Sequence, residues 1–324
     1  LLNENASQKP QRIVFTEGDQ YRILKAAEIL INGGTAVPVL LGPKARIENL
    51  IEEYQLELSG AEIIDVIADT EGREEFAQKL YDMRMRRGWT LAECKSKIKQ
   101  RDYYGNMMLK EGKVDALISG LTVKYPTALR PILRIIGTEK GIRKAAGMYT
   151  LLTKRGPMFF ADTTINLDPA VEDIVQIVLN VADTVRRTNI VPKVALLSYS
   201  NFGSSNGPDA RKMAQASSIL RKEYPELIVD GEVQANFALN PELLKESFPF
   251  SDLVGHKANV FIFPNLAAGN ISYKMLQSFG AAEAIGPMLI GTQNSAHVLQ
   301  LGASVREIVN MATLAAVDAR TRKA

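Results

Sequence analysis

Gln11-Arg12-Ile13-Val14-Phe15 is a short run of mostly apolar, strand-favouring residues; polar Thr16-Glu17-Gly18-Asp19 follows, and residues 22–30 then carry apolar side chains at helical spacing. Strand, polar turn and helix in that order begin a βαβ unit. The pattern recurs outward from here. Residues 36–41 are an apolar run closed by Gly42-Pro43, Ala116-Leu117-Ile118-Ser119-Gly120 is a strand ending in a turn, and residues 193–200 and 259–263 repeat it, each before a helix-compatible segment. Strands alternating with helices of this length predict an α/β fold with mostly parallel sheets. In such sheets ligands collect beyond the carboxyl ends of the strands, so the loops after these runs are the places to look for chemistry.

The composition bounds what the fold can serve. The 324 residues are 46% hydrophobic and 23% charged, which excludes a disordered chain or a fibre. At about 150 residues per domain the length suggests two domains, and a division is placed near residues 148–156, although no Gly/Ser/Pro linker marks it. The balance of 39 basic and 36 acidic residues gives no global electrostatic reason to seek nucleic acid or anionic lipid, so neither partner is expected. No apolar stretch approaches the roughly 18 residues of a membrane span. The single cysteine, Cys94, excludes an intrachain disulfide and a Cys-based metal cage, and fits a reducing, cytoplasmic setting. The opening Leu1-Leu2-Asn3-Glu4-Asn5 has neither an initiator Met nor the layout of a signal peptide, as expected of a trimmed terminus or a piece of a longer protein.

Two loops stand out. After the run ending at Ser200 comes Asn201-Phe202-Gly203-Ser204-Ser205-Asn206-Gly207-Pro208-Asp209, leading into a helix through Ala210-Arg211-Lys212. Small or hydroxyl-bearing residues such as Ser200, Gly203 and Ser204 before a helix can aim N–H groups and hydroxyls at an anion; they equally suit a polar connection that caps its helix. The loop is neither a Walker P-loop nor a dinucleotide turn. The second is Pro264-Asn265-Leu266-Ala267-Ala268-Gly269-Asn270, where Lys274 lies four residues past Asn270 and is expected to share a face with it in the first helical turn, a cation that an anionic ligand would offset.

Other candidates rest on residue type. Arg130, in Pro126-Thr127-Ala128-Leu129-Arg130-Pro131, and Arg84, in Met83-Arg84-Met85-Arg86-Arg87-Gly88-Trp89, offer the planar fork suited to phosphate, against a background of solvated surface arginines. His256 and His297 lack metal-ligand spacing to each other or to Cys94, no metal site is expected, and His297 reads as a structural histidine. Cys94 reads as a small apolar residue on a helix. Ser304 and Glu307 have the spacing of a capping box, a sufficient structural reason for that carboxylate.

With these pieces assembled, the chain resembles the phosphotransacetylase family over nearly its whole length. The likeness lies in Arg12-Ile13-Val14-Phe15 with Glu17-Gly18, Ile118-Ser119-Gly120, Ala195-Leu196-Leu197-Ser198, Asp230-Gly231-Glu232, Pro264-Asn265-Leu266 with Ala268-Gly269-Asn270-Ile271, and Ala284-Ile285-Gly286-Pro287. The resemblance implies a metal-free exchange of acetyl-CoA and phosphate for acetyl phosphate and CoA. It also implies two three-layer α/β/α lobes, isocitrate dehydrogenase-like, with a cleft between them. The first lobe would be residues 1–150 plus 297–324; the second, 151–296, would carry a homodimer contact.

A closer likeness, to the C-terminal domain of bacterial hybrid malic enzymes, runs through Phe160-Ala161-Asp162-Thr163, Asn166-Leu167-Asp168-Pro169, Ser200-Asn201-Phe202-Gly203-Ser204, Ala210-Arg211-Lys212-Met213 and Val305-Arg306-Glu307-Ile308-Val309-Asn310-Met311. It implies an N-terminal malic-enzyme half that oxidatively decarboxylates malate to pyruvate and holds the NADP and divalent metal, with no cofactor in this domain. Acetyl-CoA or CoA would be the partner here, as an allosteric effector. The absent Met then marks a cut inside a larger enzyme.

Active transacetylases carry a Ser-Arg pair before the final helix and an Asp early in it. Here those positions align with Gln300-Leu301 and Glu307, so no catalytic residue is expected, while Arg84 and Arg130 align with arginines near the family's CoA and phosphate site. The resemblance thus implies an acetyl-CoA sensor that binds through Arg84, Arg130, Ser200, Gly203, Ser204, Asn270 and Lys274. The alternatives are a working phosphate acetyltransferase with Glu307 as base, and an oligomerisation domain that has lost its ligand.

Overall fold

The computed structural model describes residues 9–323, and the opening Leu1-Leu2-Asn3-Glu4-Asn5 stretch lies outside them. The chain separates into two compact units, Leu1–Glu139 with Thr292–Ala324, and Lys140–Gly291. It leaves and re-enters the first unit at Thr138 and Thr292, which pair as an isolated antiparallel bridge. A backbone bridge needs no particular side chains, which is why no linker composition marks the crossing.

The first unit grows from β1 (Gln11–Phe15), α1 (Tyr21–Asn32), β2 (Ala36–Leu41), α2 (Lys44–Glu53), β3 (Glu62–Ile64), α3 (Thr70–Arg84), α4 (Leu91–Ile98), α5 (Arg101–Lys110), β4 (Ala116–Ser119) and α6 (Tyr125–Ile135). The chain returns to it as β11 (Ser295–Val298) and α12 (Val305–Lys323). The five strands run in the order β11-β4-β1-β2-β3, every pair parallel. Val14 sits between Val39 and Leu117, and all three are fully buried. Burial on both faces is what a parallel sheet with helices on each side requires.

Helices α1 and α12 pack on each other, α1 against β2 and α12 against β1, while α5 and α6 pack on each other against β4 and β11. The buried stripe of α1 includes Ile23, Leu24, Ala27 and Leu30, and α12 buries Ala312, Ala315, Ala316 and Ala319, small side chains that let neighbouring backbones approach. Each buried Leu or Ile contributes about 1.5–3 kcal/mol relative to exposure.

The second unit comprises β5 (Ala146–Thr153), β6 (Gly156–Ala161), α7 (Val171–Arg186), β7 (Lys193–Leu197), α8 (Pro208–Glu223), β8 (Ile228–Val233), α9 (Ala235–Ala238), α10 (Pro241–Ser247), β9 (Val260–Ile262), α11 (Leu266–Ser278) and β10 (Glu283–Ile290). Its sheet order is β10-β5-β6-β9-β7-β8. Strand β5 is antiparallel to β6 and β10; the other pairs are parallel. Residues 148–156, where the sequence suggests a division, therefore lie in a hairpin inside this unit, closed by a Thr153 hydroxyl that donates to the Gly156 carbonyl at 2.9 Å. Beyond β6 the buried carboxylate of Asp162 accepts from the backbone N–H groups of Gly147, Thr164, Ile165 and Asn166, and so fixes the loop that follows. Among the described residues, no helix is long and apolar enough to cross a membrane.

Candidate functional site

In the first unit the loops beyond β1 and β4 are joined by one carboxylate. Glu17, in the turn that follows β1, is buried and accepts from Leu121 N at 2.6 Å, Thr122 N at 2.7 Å and the Thr122 hydroxyl at 2.5 Å. Gly120 makes this turn possible. Its φ is +97°, and a Cβ there would lie 2.7 Å from Val298 Cγ1. Beside the turn opens a cavity of about 320 Å³ lined by Gln20, Tyr21, Arg22, Leu121, Thr122 and Gly302. The Arg22 guanidinium donates to the carbonyls of Gly302 at 2.5 Å and Ala303 at 3.2 Å, tying α1 to the turn before α12.

That turn holds Gln300 and Leu301, and Glu307 follows it on α12. Leu299 N donates to Ser119 O at 2.7 Å and Gly302 N to Leu121 O at 3.0 Å, so residues 299–302 lie along the end of β4. Leu301 is 67% exposed and offers no polar group. The capping box anticipated from sequence is formed: Glu307 Oε2 accepts from Ser304 N and Ser304 Oγ, both at 2.8 Å, and Ser304 Oγ accepts from Glu307 N at 3.3 Å.

Arg84, at the end of α3, is 9% exposed, and its buried Nε has no hydrogen-bond partner. Burial, reinforced by the charges of Arg87 and Arg134, pulls its pKa below the usual arginine value. Arg130 is exposed on α6, one helical turn before Arg134. The structure thus gathers Arg84 and Arg134, with Arg130 adjacent along the helix. Arg134 carries no sequence motif; only its i+4 spacing from Arg130 could have drawn attention to it.

In the second unit the Ser200 loop is organised around Glu232 on β8. The Ser200 hydroxyl donates to Glu232 Oε1 at 3.0 Å, Gly203 N donates to the same oxygen at 2.6 Å, and Ser205 N donates back to Ser200 Oγ at 3.0 Å. Ser200 is fully buried, so it holds the loop from inside, whereas Gly203 and Ser204 are exposed. Of the two readings of this loop, internal pinning accounts for Ser200 and for the Gly203 N–H. Asn265 caps α11 by accepting from Ala268 N at 3.0 Å, and Asn270 Nδ2 donates to Thr163 O at 3.3 Å. Because α11 starts at Leu266, Lys274 lies in its third turn rather than its first, exposed, with its ammonium 5.4 Å from the Tyr273 ring centroid. The dipole argument, which applies within the first turn, therefore does not hold for Lys274.

The remaining candidates are structural. His297 is fully buried, its Nε2 3.0 Å from Ser295 Oγ, and burial pulls its pKa down to about 4, leaving it neutral. Cys94 is fully buried on α4, where desolvation pushes its thiol pKa up.

The sequence profile of the Phosphate acetyl/butaryl transferase family matches residues 1–316. The chain is similar to the NADP-dependent malic enzyme of Haemophilus influenzae, at 37% identity over 318 residues that take in 97% of this chain and 42% of that protein. It is similar to the phosphate acetyltransferase of Clostridium acetobutylicum, at 35% identity over 324 residues covering 98% and 97% of the two chains. A phosphotransacetylase from Streptococcus pyogenes superposes with a TM-score of 0.90 at 32% identity, over 98% of this chain and 97% of that one. The chain therefore spans less than half the length of the malic enzyme, in its C-terminal part, and nearly all of the acetyltransferase.

Proposed function

This chain belongs to the phosphate acetyl/butaryl transferase family, and from that premise we propose that it is the acetyl-CoA-sensing part of a NADP-dependent malic enzyme, without transacetylase turnover of its own. The observation that carries this reading is the turn before α12. The position of the family's phosphate-binding arginine is taken by exposed Leu301, and the nearby carboxylate, Glu307, is closed on Ser304 by two bonds of 2.8 Å. Loss of the arginine removes charge-assisted hydrogen bonds worth about 1.5–3 kcal/mol each. An occupied base forfeits help of about 10²–10⁴-fold.

Anion recognition survives in Arg84, buried with an unpartnered Nε, and in exposed Arg130. On this reading they hold the phosphates of acetyl-CoA or CoA. Binding without turnover suits an effector site, whose coupling to a distant active site is typically about 1–3 kcal/mol. The decarboxylation of malate, with its NADP and metal, belongs to an N-terminal malic-enzyme partner on the same chain, in the cytoplasm. A homodimer through the second unit is supported by Ile271 and Met275 on α11 and Phe279 just past its end, which follow one another at four-residue spacing, 58%, 50% and 75% exposed.

A working phosphate acetyltransferase is the second reading. It is favoured by the near-complete coverage of the Clostridium enzyme and by Glu307 Oε1, which has no hydrogen-bond donor among the described residues and could receive the thiol proton of CoA. The deciding experiment incubates the purified chain with acetyl-CoA and phosphate and measures acetyl phosphate, alongside calorimetry with acetyl-CoA. Saturable binding without product is expected. Robust turnover abolished by Glu307→Ala would establish the second reading, and absence of binding would leave only the oligomerisation role.

A further inference from the structure

Three guanidinium groups stand together in the first unit without a counter-charge. Arg84 feels Arg87 and Arg134 as like charges, and the only other group acting on it is the Tyr103 hydroxyl. None of the three arginines forms an ion pair among the described residues. Arg134 is held by neutral contacts alone: its Cζ lies 5.3 Å from the Trp89 ring centroid, and its Nη1 donates to the Tyr103 hydroxyl at 2.9 Å. Trp89 leans on Tyr103 with ring centroids 6.3 Å apart. A tight turn after α3 brings Trp89 back beside Arg84: Gly88 has φ +81°, Gly88 N donates to Met85 O, and Trp89 N donates to Arg84 O at 3.4 Å.

Like charges packed at a partly desolvated site repel, and a buried Arg84 Nε without an acceptor adds to the cost. One multivalent anion would relieve both, and the planar fork of arginine matches phosphate. The contact with Trp89 and the bond from Nη1 to the Tyr103 hydroxyl position the Arg134 guanidinium, and its other N–H donors have no hydrogen-bond partner among the described residues. We propose that Arg134 is a phosphate-binding residue of this chain, acting with Arg84 on one phosphate group, and that the Trp89 ring holds it in the binding orientation. The inference deepens the acetyl-CoA reading and rests on it for the natural ligand; the cluster itself asks only for a phosphate group.

Trp89 is the single tryptophan, so its fluorescence reports directly on the site. The test is a titration with acetyl-CoA and, separately, with inorganic pyrophosphate, followed by Trp89 emission. Saturable changes are expected, with affinity about tenfold weaker or more in Arg134→Gln. Arg86→Gln removes the same charge from an exposed neighbour and is expected to change affinity less than about twofold. The gap between the native chain and Arg134→Gln should narrow as salt rises, which a purely structural role would not produce. Arg134→Lys keeps the charge and loses the fork, so weakened binding by this variant carries the test should the glutamine variant fail to fold. Pyrophosphate binding that depends on Arg134, without acetyl-CoA binding, would support the phosphate site and defeat the effector reading. Acetyl-CoA binding undiminished in the Arg134 variants would overturn the site and leave the effector reading standing. Failure of both probes on the native chain would overturn both.

Discussion

Ser304 and Glu307 hold each other across the first turn of α12, each side chain satisfying the other's backbone N–H at 3.3 and 2.8 Å. On the proposed reading the same carboxylate stands where an active transacetylase would carry its base, so helix capping and proton transfer would compete for one side chain. Removing an N-cap interaction costs about 1 kcal/mol. Ser304→Ala and Glu307→Ala are each expected to lower the free energy of urea unfolding by about that amount. The double variant should lose little more than either single one, because both remove the same reciprocal pair. Additive losses would mean that the two residues act independently.

If the missing arginine is what silences the chemistry, restoring it should return some activity. Gln300→Ser with Leu301→Arg rebuilds the pair on a turn already fixed by Leu299 N on Ser119 O and Gly302 N on Leu121 O. One charge-assisted contact of about 1.5–3 kcal/mol corresponds to at least about tenfold in rate. Acetyl phosphate formation by the double variant should therefore exceed that of the native chain by roughly tenfold or more, and further with Glu307→Asp. A variant that folds and binds acetyl-CoA yet gains nothing would place the loss elsewhere.

Glu232 is expected to be a stability residue of the second unit. It is 2% exposed, and one of its oxygens takes both the Ser200 hydroxyl and Gly203 N. Glu232→Ala leaves two donors unmet, at about 1–3 kcal/mol for each that stays buried. Glu232→Gln keeps an acceptor there and should cost less. Thermal unfolding ranks the pair, and limited proteolysis should cut residues 198–207 sooner in the alanine variant.

These carboxylates also mark where sequence reading stops. Strands β1, β2 and β4 were legible because burial on both faces leaves continuous apolar runs such as Ile13-Val14-Phe15. The Ser304–Glu307 box was legible because its partners are three residues apart. Glu17 and Glu232 were not, since their acceptor oxygens meet backbone N–H groups 104 and 29 residues away, and a backbone N–H leaves no trace in residue identity. The antiparallel hairpin of β5 and β6 escaped notice for a related reason: the apolar pattern of a strand does not state the direction of its neighbour. Arg84 was found by resemblance, but its unpartnered Nε and the approach of Arg134 belong to packing of α6 against Trp89, beyond α3, and Tyr103 on α5 that no local spacing encodes.

His297 should give the first unit an acid-sensitive stability. Its Nε2 lies 3.0 Å from Ser295 Oγ and 3.9 Å from Asp318 Oδ2; burial outweighs the pull of that carboxylate and lowers the pKa from 6.5 to about 4. Between those two values the unfolded chain binds a proton that the folded chain refuses. The contribution is therefore fully present above pH 6.5 and is lost as the pH falls toward 4. From pH 7 to pH 5 the loss amounts to about 2 kcal/mol. His297→Gln removes the titrating group while keeping a polar end for Ser295. Urea unfolding of both proteins at the two pH values isolates the effect, because any general destabilisation by glutamine cancels in the difference. The drop in stability on acidification should be about 2 kcal/mol smaller in the variant; equal drops would mean that His297 already takes up its proton in the folded chain, with Asp318 as the partner that accommodates it.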